Sequence, residues 1–495
     1  MHLRTSRATA LIAALVVSGV AAVTAPLASA AVRSGPSGST VVLDSRASYL
    51  GVDAAATSDG TTYVAWISVH RSDDRFNEVH LCVLPRKATS CRGGVQTTGA
   101  VDPVSAQDLH VVARGSQVTL VWHHRTEASS TTSTGDRIAV STVRAGVLQA
   151  ATDVAVAPSN STLASVVAGP RGISAVVVSG ADDDFHTLYH YPILTAAPVA
   201  VRAPYSVGTV QLADDGDRSV LVVGQYAADK KPLSVAWKSS SATRWSGFTK
   251  IAGTWTDHDS ARLLVTSRGI RLLATGHKNG LARTVVASWQ AGRHRFGKPV
   301  LALPGQRCVA GGRDVVSDAS GRMSSVSIGC DTLTVGNHQL AGVAATTSFR
   351  GGLTAIGQDA QIATTPSGRG WVVWLKSSSS EGGTLVARPI TLPALITTVR
   401  KKTAAGVVRV TVPLSCLPAG TAEIGLAARA SNGWRVRATT LRLGKKKVVR
   451  TLRGSSLRAK HTYVLRAKVT FVKKGDRAKA RTVTKAVRFT TCAKP

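Results

Sequence analysis

Along most of this chain, short apolar runs alternate with breaks made of Gly, Ser, Asp and Pro, and no long stretch repeats every 3.6 residues beyond the first thirty. Runs of that length between turn residues predict β-strands. One unit recurs: an apolar stretch, a Gly-containing turn, then a second apolar stretch that often ends in Trp. Its copies are Ala54–Ser68, Val111–His124, Ser165–Gly180, Val210–Tyr226, Arg262–Gly276, Asp314–Gly329 and Ile362–Lys376. The turn glycines are Gly60, Gly115, Gly172, Gly216, Gly269, Gly321 and Gly368. Their spacing of about 50 residues fits a four-stranded propeller blade.

A third strand candidate follows each hairpin: Glu78–Leu84, Arg137–Val143, His186–Leu194, Leu233–Lys238, Arg283–Trp289, Thr332–Val335 and Thr384–Ile390. A fourth short run comes next in six repeats, as at Val199–Arg202, Phe248–Ile251 and Pro299–Leu303. The seventh repeat lacks one, and the unpaired run Thr40–Leu43 near the N-terminus is placed to supply it. A ring whose last blade is completed in this way has no free sheet edge.

From Ala394 the pattern changes. Val408, Val410, Val412 and Leu414 alternate with Arg409, Thr411 and Pro413; Tyr463, Leu465, Ala467, Val469 and Phe471 alternate with Val464, Arg466, Lys468 and Thr470. Period-2 alternation predicts half-buried antiparallel strands, and an immunoglobulin-like or fibronectin-like sandwich is the simplest fit. The expected fold class is therefore all-β: a seven-bladed propeller over residues 31–393, closed by its N-terminal strand, and a sandwich over 394–495.

Charge separates the two parts further. The chain carries a formal net charge of +34, and residues 394–495 hold 25 Lys and Arg against two acids, Glu423 and Asp476. Clusters at Lys401 and Lys402, at Lys445, Lys446 and Lys447, and at Lys473 and Lys474 predict contact with a polyanionic cell-wall or extracellular polymer. Aromatics are sparse there, so sequence-specific nucleic-acid recognition is not expected.

The N-terminus predicts export. Arg4 and Arg7 precede the apolar run Ala8–Thr24, and Ala28-Ser29-Ala30 supplies small residues for cleavage, so residues 1–30 read as a signal peptide and the protein as extracellular, with no membrane span. The six cysteines suggest sequential disulfides, Cys82 with Cys91, Cys308 with Cys330 and Cys416 with Cys492. Neither a metal site nor a cofactor is expected.

Ser241–Trp245 (SATRW) and the stretch before Trp289 keep fragments of a Ser-x-Asp-x-Gly-x-x-Trp box. Over Thr40–Leu392 the repeats thus resemble those of the secreted sialidase-type, BNR-repeat propeller superfamily. The resemblance implies a propeller. That family's Arg-Ile-Pro signature is absent, so none of its catalytic residues carries over.

In a propeller, ligands bind on the face where each inner strand starts. Candidates there are Asp53, Asp108, Asp259, Asp314 and Asp359, with His123, Asp183, His186 and His277 from neighbouring loops. Their convergence would form a polar, mildly acidic mouth suited to a glycan or protein ligand. The alternative role for each Asp is capping its own loop by bonding backbone N–H groups. Ala213–Asp217 (ADDGD) lacks the spacing and final Glu of a calcium loop and reads as a turn. Two functions stand: a secreted non-catalytic adhesion protein, or a glycoside hydrolase or polysaccharide lyase acting through Asp residues at the mouth.

Overall fold

The computed structural model describes residues 39–45, 48–69, 77–101, 109–124, 136–159, 161–179, 187–225, 233–251, 258–266, 269–278, 281–306, 313–317, 323–329, 332–339, 343–350, 360–365, 369–379, 382–392, 396–413, 421–444, 446–448, 451–453, 456–458 and 461–491. The expected signal peptide, and Cys308, Cys330, Cys416 and Cys492, lie outside these residues.

Seven antiparallel sheets follow one another along the chain. We number them by their first strands: sheet 1, Ser48–Ala56; sheet 2, Leu109–Arg114; sheet 3, Ser161–Gly169; sheet 4, Val207–Asp214; sheet 5, His258–Thr266; sheet 6, Arg313–Ser317; sheet 7, Ala360–Thr364. Each first strand lies against the first strand of the next sheet, and that of sheet 7 lies against that of sheet 1. The circuit is closed, which is the arrangement of a β-propeller.

The N-terminal strand closes it as the pattern predicts. Val41–Asp44 pairs antiparallel with Gly382–Thr391 of sheet 7, setting Val41 opposite Ala387 and Val42 opposite Val386. Trp66 of sheet 1 donates its indole N–H to Asp44 at 3.2 Å, so the same segment also grips the neighbouring sheet.

The apolar runs follow from this geometry. A strand's side chains point alternately to its two faces, and here both faces are covered. In sheet 1, Val64 and Trp66 pack with Trp371, Val373 and Leu385 of sheet 7. Ala65 and Ile67 pack the other way, against Leu120 and Trp122 of sheet 2. Every residue of the run is therefore apolar, with no solvent face to reserve for a polar side chain. The hairpins are tight: Arg114 pairs with Gln117 across Gly115, whose φ of 63° suits glycine. At Gly370 the packing admits no side chain, because a Cβ would sit 1.8 Å from the Ala363 carbonyl oxygen.

One disulfide is present among the described residues, Cys82–Cys91, as expected. It joins the third strand of sheet 1, Asn77–Leu84, to the loop after it.

The C-terminal residues form three further antiparallel sheets. Ile396–Thr403, Gly406–Pro413 and Gly425–Ala430 make one; Lys446–Lys447, Trp434–Leu443, Thr462–Lys473 and Asp476–Thr490 make another; Thr421–Glu423 and Thr451–Arg453 make a short third. Val408, Val410 and Val412 share one core with Leu465, Ala467, Val469 and Phe471, so the two larger sheets bury facing sides together. Among the described residues no helix is long and apolar enough to cross a membrane.

Candidate functional site

The first strands of the seven sheets border the axis, and each has a ladder partner on one side. Their axial N–H and C=O groups need other partners. Side chains of adjacent first strands supply them. Asp53 accepts the Val111 N–H of sheet 2 at 2.7 Å and its neighbour Ala54 N–H at 2.8 Å. His110 Nε2 lies 3.1 Å from the Leu163 carbonyl of sheet 3. Ser165 Oγ accepts the Leu212 N–H of sheet 4 at 3.1 Å. Asp314 accepts the Ile362 N–H of sheet 7 at 2.9 Å. The expected mouth carboxylates Asp53 and Asp314 thus act first as clamps between adjacent sheets. They cap a neighbour's strand rather than their own loop.

Sequence reasoning missed Ser165, His110 and Arg262. A register signal was available: Asp53, Asp108, Ser165, Arg262 and Asp314 each stand seven residues before a hairpin glycine (53/60, 108/115, 165/172, 262/269, 314/321). Asp259 and Asp359 stand at other offsets from Gly269 and Gly368.

Arg262 supplies the balancing charge at the axis. Its Nε lies 3.6 Å from Asp314 Oδ1, and its positive charge also acts on Asp53. His110 Nδ1 stands 4.0 Å from Asp53 Oδ2. Burial pushes the Asp53 carboxyl up to about 6, against the lowering effect of the Val111 N–H, Arg262 and the Ala54 N–H. Two carboxylates, an imidazole and a guanidinium from four sheets thus meet around the axis.

The remaining candidates divide. His123, expected at the mouth, is fully enclosed. It meets Asp136 of its own sheet at 3.6 Å and Ser161 Oγ of sheet 3 at 3.3 Å. Both of these contacts fall on its Nε2. Asp259 and His277 lie in strands His258–Thr266 and Gly269–Lys278. Asp108, Asp183, His186 and Asp359 lie outside the described residues. The ADDGD segment is a turn: Asp214 accepts the Gly216 N–H, and Asp215 accepts those of Asp217 and Arg218.

The basic C-terminal sheets present a second candidate surface. Directly opposite residues on paired strands share a face. Arg442 faces Arg466 across one strand pair, and in another its register partner is Lys447. Arg400 faces Arg409 in the other large sheet. Arg442, Arg466, Lys468 and Arg488 are exposed, and Lys468 and Arg488 share the outward face of Thr462–Lys473 and its neighbour. Among the predicted lysines, Lys401 donates to the Thr484 carbonyl at 3.0 Å, while Lys402, Lys446, Lys473 and Lys474 are exposed. Lys445 lies outside the described residues. The arginine rows were legible as the polar half of the Tyr463–Phe471 alternation, but their pairing required the register.

No family model and no curated protein matches this chain. Several solved structures are similar in shape. AofleA from Arthrobotrys oligospora aligns at 9% identity and TM-score 0.39, over 64% of this chain and 93% of that one. The α-L-arabinanase of Penicillium chrysogenum, complexed with arabinobiose, aligns at 10% identity and TM-score 0.41, over 72% and 99%. The GH93 α-L-arabinofuranosidase of Fusarium graminearum, also with arabinobiose, aligns at 11% and 0.42, over 72% and 98%. The propeller assignment rests on the closed circuit of sheets, not on these alignments.

Proposed function

We propose that this chain is a secreted adhesion protein: a seven-bladed propeller that displays a ligand mouth, followed by an immunoglobulin- or fibronectin-like sandwich that grips a polyanionic polymer. The seven consecutive sheets support the blade count, and the core shared by the two C-terminal sheets supports the sandwich. Export is supported by the charged and apolar N-terminal segment and by the Cys82–Cys91 disulfide, which an oxidising compartment favours.

The observation that carries the binding role is the opposition of Arg442 to Arg466, both exposed, across one strand pairing, with Lys447 at the register position opposite Arg442 in the neighbouring pairing. Like charges set directly opposite each other destabilise a sheet. Among the described residues the acids of this region are Glu423 and Asp476, and Asp476 is paired with Lys479 at 3.5 Å. A polyanion laid along the face relieves that repulsion and releases its counterions. The test is elution of the full chain from immobilised heparin in a NaCl gradient. The variant Arg442→Ser/Arg466→Ser/Lys468→Ser is expected to elute at clearly lower salt. Unchanged elution overturns the reading.

A second reading, hydrolysis or eliminative cleavage of a polysaccharide at the mouth, is favoured by one observation: the Asp53 carboxyl titrates near the working range of a general acid. It requires release of reducing ends from a glycan panel, a rate that changes around pH 6, and loss of that rate in Asp53→Asn. Absence of any release dismisses it.

A further inference from the structure

Where sheet 7 meets sheet 1, at their hairpin ends, a cavity of about 420 Å³ opens. That volume suits a small-molecule ligand. Its apolar wall is Trp371 and Ile390, both buried, with Pro389. Its polar lining is positive: Arg86 and Lys87 come from the loop after Asn77–Leu84 of sheet 1, and Arg369 opens the second strand of sheet 7. No acid lines it. Among the described residues none of the three cations has an acidic partner within ion-pair distance.

Arg369 gives the second observation. Its Nη1 is enclosed and has no hydrogen-bond acceptor among the described residues. A buried, charged donor without an acceptor is costly, so turning the Arg369 guanidinium toward an oxyanion in the cavity would regain the missing bond. Guanidinium forks match oxyanions, which accept two parallel N–H bonds. Two exposed cations at the rim would draw the same ligand in and add salt-dependent attraction.

We propose that this cavity binds a small oxyanion, a carboxylate or phosphate group carried on a compact molecule, held by Arg369 with Arg86 and Lys87. Its position matters to the fold. The cavity takes residues from both ends of the propeller, across the seam that Val41–Asp44 closes by pairing with Gly382–Thr391. A ligand bridging Arg86 and Arg369 therefore fastens the ring at its non-covalent joint. The site is separate from the basic C-terminal sheets, and it does not depend on the adhesion reading.

Isothermal titration of the full chain with galacturonate, inorganic phosphate and neutral galactose tests this at fixed ionic strength. At least one anion is expected to bind and galactose is not; which anion binds identifies the carrier of the charge. Arg369→Leu is expected to weaken binding at least tenfold, and Arg369→Lys to weaken it less, keeping the charge but losing the fork. Arg86→Ser/Lys87→Ser should weaken it too and flatten its salt dependence. If Arg369→Leu fails to fold, judged by circular dichroism, the rim variant carries the test. Three results overturn the proposal: neither anion binds, galactose binds as well, or binding survives the cavity variants and disappears in Arg442→Ser/Arg466→Ser.

Discussion

Replacing His190 with Leu should make the protein more resistant to acid. His190 lies in strand Thr187–Tyr191 of sheet 3, fully enclosed, with neither ring nitrogen hydrogen-bonded to a described residue. It makes a T-shaped contact with Trp245, the ring centroids 5.1 Å apart. Lys238 lies with its ammonium 5.8 Å from that indole, and Arg171, paired with Asp214 at 3.3 Å, is near. Burial, then the Lys238 and Arg171 charges, depress the His190 pKa from 6.5 to about 3. Between those two values the unfolded chain takes up a proton that the native state refuses. Stability contributed by this site is complete above pH 6.5 and declines as pH falls, at about 1.4 kcal/mol per pH unit. At pH 4.5 the loss is about 3 kcal/mol. Leucine is similar in volume, does not titrate, and removes two unpaired nitrogens. Urea denaturation of both forms at pH 7.5 and pH 4.5 measures the difference. The advantage of His190→Leu should grow by about 3 kcal/mol between the two. Asp53, raised to about 6, contributes with the opposite sign, gaining stability as pH falls through 6, but it is common to both forms and cancels. An advantage that stays constant with pH refutes the assignment.

Asp314→Ala leaves the buried Ile362 N–H unpaired, and the midpoint of urea unfolding should drop by the equivalent of about 1–3 kcal/mol. Asp53→Ala should do the same through Val111; if neither midpoint moves, the clamps are not structural. Trp66→Phe removes the indole bond to Asp44 and should cost about 1 kcal/mol, with faster proteolytic cutting at Val41–Asp44; equal cutting rates argue against the seam. Cys82→Ala/Cys91→Ala opens a loop of sequence separation 9 and should cost at most about 3 kcal/mol in thermal unfolding.

The closing strand shows how far linear pattern reaches. Thr40–Leu43 falls outside the repeats, and the strand missing from the seventh repeat marks its partner. The hairpins are marked by their glycines, because a tight turn with positive φ favours glycine whatever surrounds it. Alternation from Tyr463 to Phe471 likewise separated inward from outward residues. These features depend on neighbours within one or two strands, so the sequence carries them directly.

Other features required the circle. Nothing local to Asp53 says that its carboxylate will meet Val111, which is 58 residues away, or the charge of Arg262 from sheet 5. Nothing local to His123 separates a mouth residue from one sealed against Ser161. The opposition of Arg442 to Arg466 depends on strand register, and the cavity at Arg369 exists only where the two ends of the propeller meet. Chain pattern by itself determined the strands, their turns, their repeat and where charge gathers, because these follow from short-range periodicity. Tertiary structure alone decided which side chains share a space, because burial, pairing and acidity depend on groups brought together from distant parts of the chain.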